Sequence, residues 1–446
     1  MNRNSDNLSR RSFLKNSSVI GAGTSAFTII RPELVRGAGK EKLKAGLVGC
    51  GGRGTEAVVN LLTGTENVEV VAMGDIFEDR LEKSLASIRD ETKNPKLQDR
   101  VKVPPDRHFV GFDAYKKVIA SDVDIVMLAT PPGYRPEHFE ACIAAKKHVF
   151  CEKPFGTDPV GVRRFMAAAK KSEELKLTVM SGAQRRFARD YTETIDKIKN
   201  GAIGNVVATY AYWVGGPVLQ FLGGGWPGPK GQRDPKWSDM IWQNRNWYSF
   251  VWLCGDQVVE QHLHNIDVCN WVMGTHPEKV VASGGAIWRP REAAYGNIYD
   301  HLSADFEYAN GVHMSSYCRQ YPKGCATNVS ELIVGAKGRS NAHDMGSGSG
   351  QDVRGGFRDP MENPYVREHT AMVNSIRGDG PYINHAMAVA ESTMTCIMAR
   401  ESAYSGLEVT WDMIMNSKRD LSPKAMSYEA NIEVPPLPVP GEYKFI

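Results

Sequence analysis

Residues 256–267 read DQVVEQHLHNID and hold two histidines, three carboxylates and no lysine or arginine. Such a set could bind a metal, move protons or cover one side of a helix. On a helix each residue turns by about 100°, which brings Glu260, His264, Asp267 and Trp271 into one arc and puts His262 about 200° from His264. Two histidines on opposite sides of a helix cannot chelate one ion, so no metal is assigned. Proton transfer is the chemistry expected instead, because an imidazole titrates near neutral pH and suits the removal of a hydroxyl proton. His264 is the expected acid/base, with Glu260 one turn away to orient it. Asp267 on the same arc is a candidate for a substrate hydroxyl, and His262 could reach the substrate from the helix start. Val259, Leu263 and Ile266 supply the apolar stripe that anchors the helix. A core histidine satisfied by Glu260 is the plainer account of His264, and the rest of the chain argues against it.

The apolar run LKAGLVG enters CGGRGTEAVVNLL, a strand leading into a glycine turn and then a helix. Gly49, Gly51 and Gly54 have the spacing of a turn that lets backbone approach a pyrophosphate at a helix N-terminus, and Gly52 and Arg53 complete it. VEVVAMGD then forms a second strand ending in Asp75, 21 residues after Gly54, where a carboxylate would bind the adenosine ribose hydroxyls. Asp75 points to NAD, since a carboxylate repels a ribose phosphate, while Arg80 close behind leaves NADP open. The alternation continues through DIVMLATPP, which ends at Thr130, Pro131 and Pro132, and KHVFCEKP, which ends at Glu152, Lys153 and Pro154. Strands alternating with helices imply a doubly wound parallel sheet whose strand ends bind ligands. Thr130, Pro131, Glu152 and Lys153 are therefore expected at the cofactor edge. Tyr134, also at that edge, and Gln184 and Arg185 are candidates for substrate hydroxyls or cofactor contacts.

After about residue 180 the chain carries longer strand-like runs, VVATYAYWV, VVASGGAIW, HLSADFEY, VHMSSYCRQY and SELIVGA, which imply an open, mostly antiparallel sheet. Residues 215–247 are rich in Gly, Pro and Trp and are expected to be a covering or bridging loop. Residues 343–360 read as a Gly-rich loop. Eight of the nine tryptophans lie between 213 and 288, where they could stack on sugar rings or fill the core. The expected domains are a signal and linker at 1–37, a Rossmann domain at 40–178, an α/β substrate and oligomerisation domain at 179–415, and a tail at 416–446.

The order of these signals is similar to that of the Gfo/Idh/MocA oxidoreductases, the group of glucose-fructose oxidoreductase and inositol dehydrogenase. Gly49-x-Gly51-x-x-Gly54, Glu152-Lys153-Pro154, GAQRRFARDY leading to NGAIGNV, and Glu260-x-x-x-His264-x-x-Asp267 carry the resemblance over roughly residues 43–415. The resemblance implies a Rossmann domain, an α/β domain whose open sheet mediates dimers or tetramers, and NAD(P)-linked oxidation of sugars or cyclitols. It assigns catalysis to Lys153, Glu260 and His264. Many members have Asp where this chain has Glu260.

The N-terminal stretch SRRSFLKNSSVIGAGTSAFTII resembles a twin-arginine export signal. Its apolar part is too short and polar to span a membrane. Export by the twin-arginine translocase to the periplasm is expected, with a firmly held dinucleotide loaded beforehand. The net charge is +3, and the first 37 residues carry six Lys/Arg against Asp6 and Glu33, so the remaining chain is about neutral and offers nothing to nucleic acid. The eight cysteines include no CxxC pair, although Cys318 and Cys325 could pair. Three functions fit. The first is an exported NAD(P)-dependent oxidoreductase acting on a ring hydroxyl, with Lys153 polarising the reacting oxygen. The others are an NAD-dependent glycoside hydrolase using transient oxidation and elimination, and a non-enzymatic sugar-binding protein, which would be expected to lose Lys153 or His264.

Overall fold

The apolar run Leu43–Val48 (β1) is buried along nearly its whole length, as a parallel strand covered on both faces must be. The computed structural model describes residues 42–218, 233–321, 324–343 and 359–446. From β1 the chain alternates through α1 (Gly52–Gly64), β2 (Val68–Asp75), α2 (Glu78–Arg89), β3 (His108–Val110), α3 (Ala114–Ile119), β4 (Ile125–Leu128), α4 (Arg135–Ala144), β5 (His148–Cys151), α5 (Pro159–Glu174) and β6 (Val179–Ser181). These strands pair in parallel in the order β3-β2-β1-β4-β5-β6. The order reverses between β1 and β4, so their carboxyl ends flank the crevice in which doubly wound sheets bind ligands. Strand β6 lies beyond residue 178, which moves the expected domain boundary past Ser181.

The second half contributes α6 (Arg189–Lys199), β7 (Val206–Gly215), α7 (Asp239–Arg245), α8 (Val251–Cys254), α9 (Gln257–Glu260), α10 (Leu263–Met273), β8 (Lys279–Gly285), β9 (His301–Glu307), β10 (His313–Gln320), β11 (Asn328–Gly335), β12 (Gly338–Ser340), α11 (Pro364–Arg377), α12 (Ala386–Ser405), β13 (Val409–Thr410) and α13 (Trp411–Asn416). Among the described residues its sheet has seven strands in the order β12-β11-β7-β10-β9-β8-β13, and only β7 and β10 pair in parallel. Helix α10 packs on β7 and β11, and α12 on β8. Helix α11 packs instead on α1, so the chain returns to the first sheet before its end. Arg400 of α12, fully buried, donates to the carbonyls of Thr157 and Gly255 at 2.5 and 3.0 Å and ties the two halves together. Residues Gly39–Ile446 form one compact unit.

Three local expectations change. The helix expected over 256–273 is broken after Glu260: His262 N bonds Gln257 O, five residues back, and His264 N bonds Gln261 O, three back. A wide turn followed by a tight one resets the angular phase, so Glu260 and His264 no longer follow a single 100° progression. Cys318 is buried in β10 and Cys325 exposed, and both thiols are free. The 215–247 segment is not all loop, since Asp239–Arg245 is helical with Ser238 as its N-cap. Residues 1–41 and 344–358, which carry the export signal and most of the Gly-rich loop, lie outside the described residues.

Candidate active site

A cleft of about 1600 Å³ runs along the carboxyl ends of β1, β2, β4 and β5 and beneath the second half of the chain. Typical small-molecule pockets hold roughly 300–1,000 Å³, so this one has room for a dinucleotide and a second ligand.

At its floor the chain turns from β1 into α1. A Cβ on Gly54 would stand 2.0 Å from the Gly49 carbonyl, and Gly49 itself has φ +98°. The turn needs both glycines. Gly51 and Gly52, by contrast, face nothing within 4 Å. Their bare backbone forms an open cradle at a helix N-terminus, which suits a pyrophosphate. Asp75 closes β2 beside it. Its two oxygens accept the backbone N–H groups of Cys50 at 2.6 Å and Phe77 at 2.9 Å, each retaining acceptor capacity for a ribose hydroxyl. Burial raises its pKa above the ordinary carboxylate value. Arg80, Thr130 and Pro131 also line the cleft, and Arg80 donates to the Arg245 carbonyl at 3.4 Å. These residues fit an NAD-type group.

Arg53 does not point away from this turn into solvent. Its Nε donates to Glu152 at 2.6 Å, its Nη2 lies 3.6 Å from Glu368, and its guanidinium covers the Tyr365 ring at 4.4 Å. The glycine turn, the end of β5 and α11 are thereby locked together. Sequence reasoning missed Tyr365 and Glu368, because nothing in NPYVREH announces that α11 returns to α1.

At the far end of the cleft stand Lys153, Gln184, Trp213, Tyr248, Glu260 and His264. Lys153 Nζ donates to the Glu260 carbonyl and lies 3.0 Å from Glu260 Oε1. Glu260, expected beside His264, thus also engages the lysine, and both Glu260 and His264 line the cleft. His264 is half-buried and its ring lies nearly parallel to that of Trp213, with centroids 6.0 Å apart. Two buried acceptors here, Glu260 Oε2 and Gln184 Oε1, have no hydrogen-bond partner among the described residues. Buried polar atoms are rarely left so. Both belong to residues that line the cleft.

Four candidates for substrate contact are corrected. Asp267 is buried and bidentate with Arg186 at 2.8 and 2.9 Å, and Ser392 also donates to it. Arg185 pairs with fully buried Glu331 under β11. His262, 0% exposed, hydrogen-bonds Ser316 of β10 at 2.7 Å, and burial pushes its pKa down to about 3. None of these three lines the cleft. Nor does Tyr134, which lines a small neighbouring cavity beside Asp75, where its hydroxyl donates to Asn244 at 2.8 Å.

Residues 43–181 match the oxidoreductase family Gfo/Idh/MocA, NAD-binding Rossmann fold, and residues 195–410 match that family's C-terminal α/β domain. The chain is 24% identical over 245 residues to the myo-inositol 2-dehydrogenase of Thermotoga maritima, covering 55% of this chain and 59% of that protein. It is 25% identical over 260 residues to the inositol 2-dehydrogenase of Acidothermus cellulolyticus, covering 58% and 61%. The matched stretch thus spans about three-fifths of these curated relatives. The fold is shared with the Lactobacillus casei scyllo-inositol dehydrogenase with bound NAD(H) and scyllo-inositol, at TM-score 0.60 and 18% identity over 83% of this chain and 99% of that one. It is shared equally with the Caulobacter crescentus aldose-aldose oxidoreductase, at TM-score 0.59 and 16% identity over 83% and 100%. With its two sheets matched by that family's two domains, the chain belongs to the Gfo/Idh/MocA family of oxidoreductases.

Proposed function

We propose that this protein is an exported NAD-dependent oxidoreductase that oxidises or reduces a ring hydroxyl of a sugar, glycoside or cyclitol. The observation that carries the reading is the far end of the cleft, where Lys153, Gln184, Glu260 and His264 line one space beside Trp213. A polyhydroxylated ring would give its hydroxyl protons to Glu260 Oε2 and Gln184 Oε1 and lay an apolar face against Trp213. When bound, the nicotinamide accepts or returns hydride at the carbinol carbon. Lys153, held by Glu260, donates to the reacting oxygen and stabilises the negative charge that develops there. His264 takes the hydroxyl proton in the oxidising direction and returns it in the other. Asp75 supports NAD over NADP, since a ribose phosphate would face its buried carboxylate.

Export is part of the reading and rests on Arg10 and Arg11 with the Phe13-Leu14-Lys15 that follows. It makes the twin-arginine translocase a transient partner and the periplasm the site of action. Assembly as a homodimer or homotetramer is supported by the outer face of the second sheet, where Tyr210, Tyr212 and Tyr317 stack in a row and Tyr317 is 46% exposed.

The test is direct. NAD and NADP binding are titrated, and NADH formation is followed with a panel of neutral cyclitols, hexoses and aryl glycosides. The reading expects tighter NAD binding and NADH formation with a ring polyol. Aglycone release without net NADH would replace it with the glycoside-cleaving cycle, and failure to bind either nucleotide would overturn it.

A further inference from the structure

Helix α7 and the chain near the C-terminus, far apart in sequence, are built as one piece. Ser238 donates to the Tyr428 carbonyl, Met240 N to Ala430 O at 3.1 Å, Gln243 Nε2 to Ile432 O at 2.8 Å, and Ile432 N to Asp239 at 3.1 Å. This strap docks on the turn that follows Asp75. Arg245 makes a bidentate pair with Asp79 at 2.6 and 2.9 Å and covers the Phe77 ring at 3.9 Å. Tyr428 donates to the Ile76 carbonyl and its ring meets Phe112 at 5.0 Å. Asn244 accepts from Tyr134 on the opposite strand end at 2.8 Å. Three of the docking points, Ile76, Phe77 and Asp79, thus fall one to four residues after the carboxylate fitted to hold the adenosine ribose.

Between strap and sheet lies a cavity lined by Asp75, Ile76, Phe112, Pro131, Tyr134 and Asn244. It lies past the ribose carboxylate between the ends of β2 and β4, where an adenine would extend. Its volume is about 40 Å³. A water needs about 10–15 Å³ of such space, so the cavity as it stands holds a few waters, and the strap forms its outer wall.

We propose that this strap is the outer wall of the adenosine subsite and its gate: it must lift for the dinucleotide to enter or leave, and it holds the nucleotide in place between turnovers. The inference rests on the NAD-binding reading above. A nucleotide retained in this way is regenerated in place by a second substrate rather than exchanged, which suits a protein loaded before export.

The experiment uses the full chain loaded with NADH and diluted into excess NAD, with the loss of bound NADH fluorescence giving the release rate. Arg245→Ala removes both the ion pair and the ring contact, Arg245→Lys keeps only a charge, and Tyr428→Phe removes one hydrogen bond. Expected are release from the wild type over minutes or longer, release at least about tenfold faster in Arg245→Ala, and smaller accelerations in the other two. Tyr428→Phe and Arg245→Lys keep the test valid should Arg245→Ala fail to fold. Release within seconds, unchanged in the variants, would overturn the gate and leave the NAD reading standing. If the wild type takes up no NADH, the NAD reading fails first.

Discussion

The chain from 256 to 267 feeds two regions that contain the same kinds of residue and differ in whether those residues line the cleft. On the side facing β10, β11 and α12, each charged or histidine side chain has a built-in partner: His262 has Ser316, Asp267 has Arg186 and Ser392, and Arg185 has Glu331. On the side facing the cleft, Glu260 Oε2 and Gln184 Oε1 are left without one. Folding requires the first arrangement, because a buried charge alone is costly. The second has no folding rationale, because an orphaned buried acceptor destabilises the protein unless a ligand satisfies it. What distinguishes the working side is that Lys153, Gln184, Glu260 and His264 line the cleft, since on the other side His262 Nδ1 and Asn265 Oδ1 are also without a partner among the described residues.

Substitutions on the two sides should separate activity from stability. The largest effect on turnover is expected from Lys153→Met, which removes the donor to the reacting oxygen and should lower kcat by about 10²–10³ with NAD affinity retained. On the structural side Arg186→Ala leaves Asp267 buried and unpaired, and thermal unfolding should show a loss of about 3–5 kcal/mol. If Arg186→Ala instead kept full stability and lost turnover, the two sides would have been assigned the wrong way round. Gln184→Leu should do the reverse of Arg186→Ala, raising KM about tenfold while stabilising the protein by roughly 0.5–1 kcal/mol, because it removes an unsatisfied acceptor.

An effect per group smaller than that of Arg186→Ala is expected from acid. His138, His262, His369 and His385 are pushed by burial to about 3, and His148 to about 4, from an ordinary value of 6.5. Their folded pKa values lie below the unfolded one, so above pH 6.5 they contribute nothing. As pH falls through 6.5 toward those values, the unfolded chain binds protons that the folded chain refuses, and stability is lost. Each should cost about 1.4 kcal/mol by a pH one unit below 6.5. Denaturant midpoints measured from neutral pH downward check this, and His262→Gln should flatten the slope.

The first sheet was legible because parallel strands covered on both faces read as unbroken apolar runs, and the glycine turn is a local geometric necessity at Gly49 and Gly54. Lys153 was legible for the same reason, since it ends such a run. The partners of the second half were not. Helical periodicity placed Glu260, His264 and Asp267 together, but only Glu260 and His264 line the cleft, while Asp267 is buried against Arg186 and Ser392. Arg185 and Arg186 look alike in sequence, and only the register of β11 and the position of α10 give them Glu331 and Asp267. The roles of Tyr365 on α11 and Tyr428 in the tail depend on contacts spanning hundreds of residues, which leave no local pattern.

The central claim is that Lys153 and His264 act on a ring hydroxyl while their neighbour His262 only supports the fold. Its most direct test is a single-turnover measurement of NADH formation at saturating neutral ring polyol in the wild type, Lys153→Met and His262→Gln. The account predicts formation in the wild type, a loss of about 10²–10³ in Lys153→Met and a rate within about threefold of wild type in folded His262→Gln. It would be contradicted if Lys153→Met turned over normally, or if His262→Gln, with NAD bound and the fold intact, lost as much as Lys153→Met.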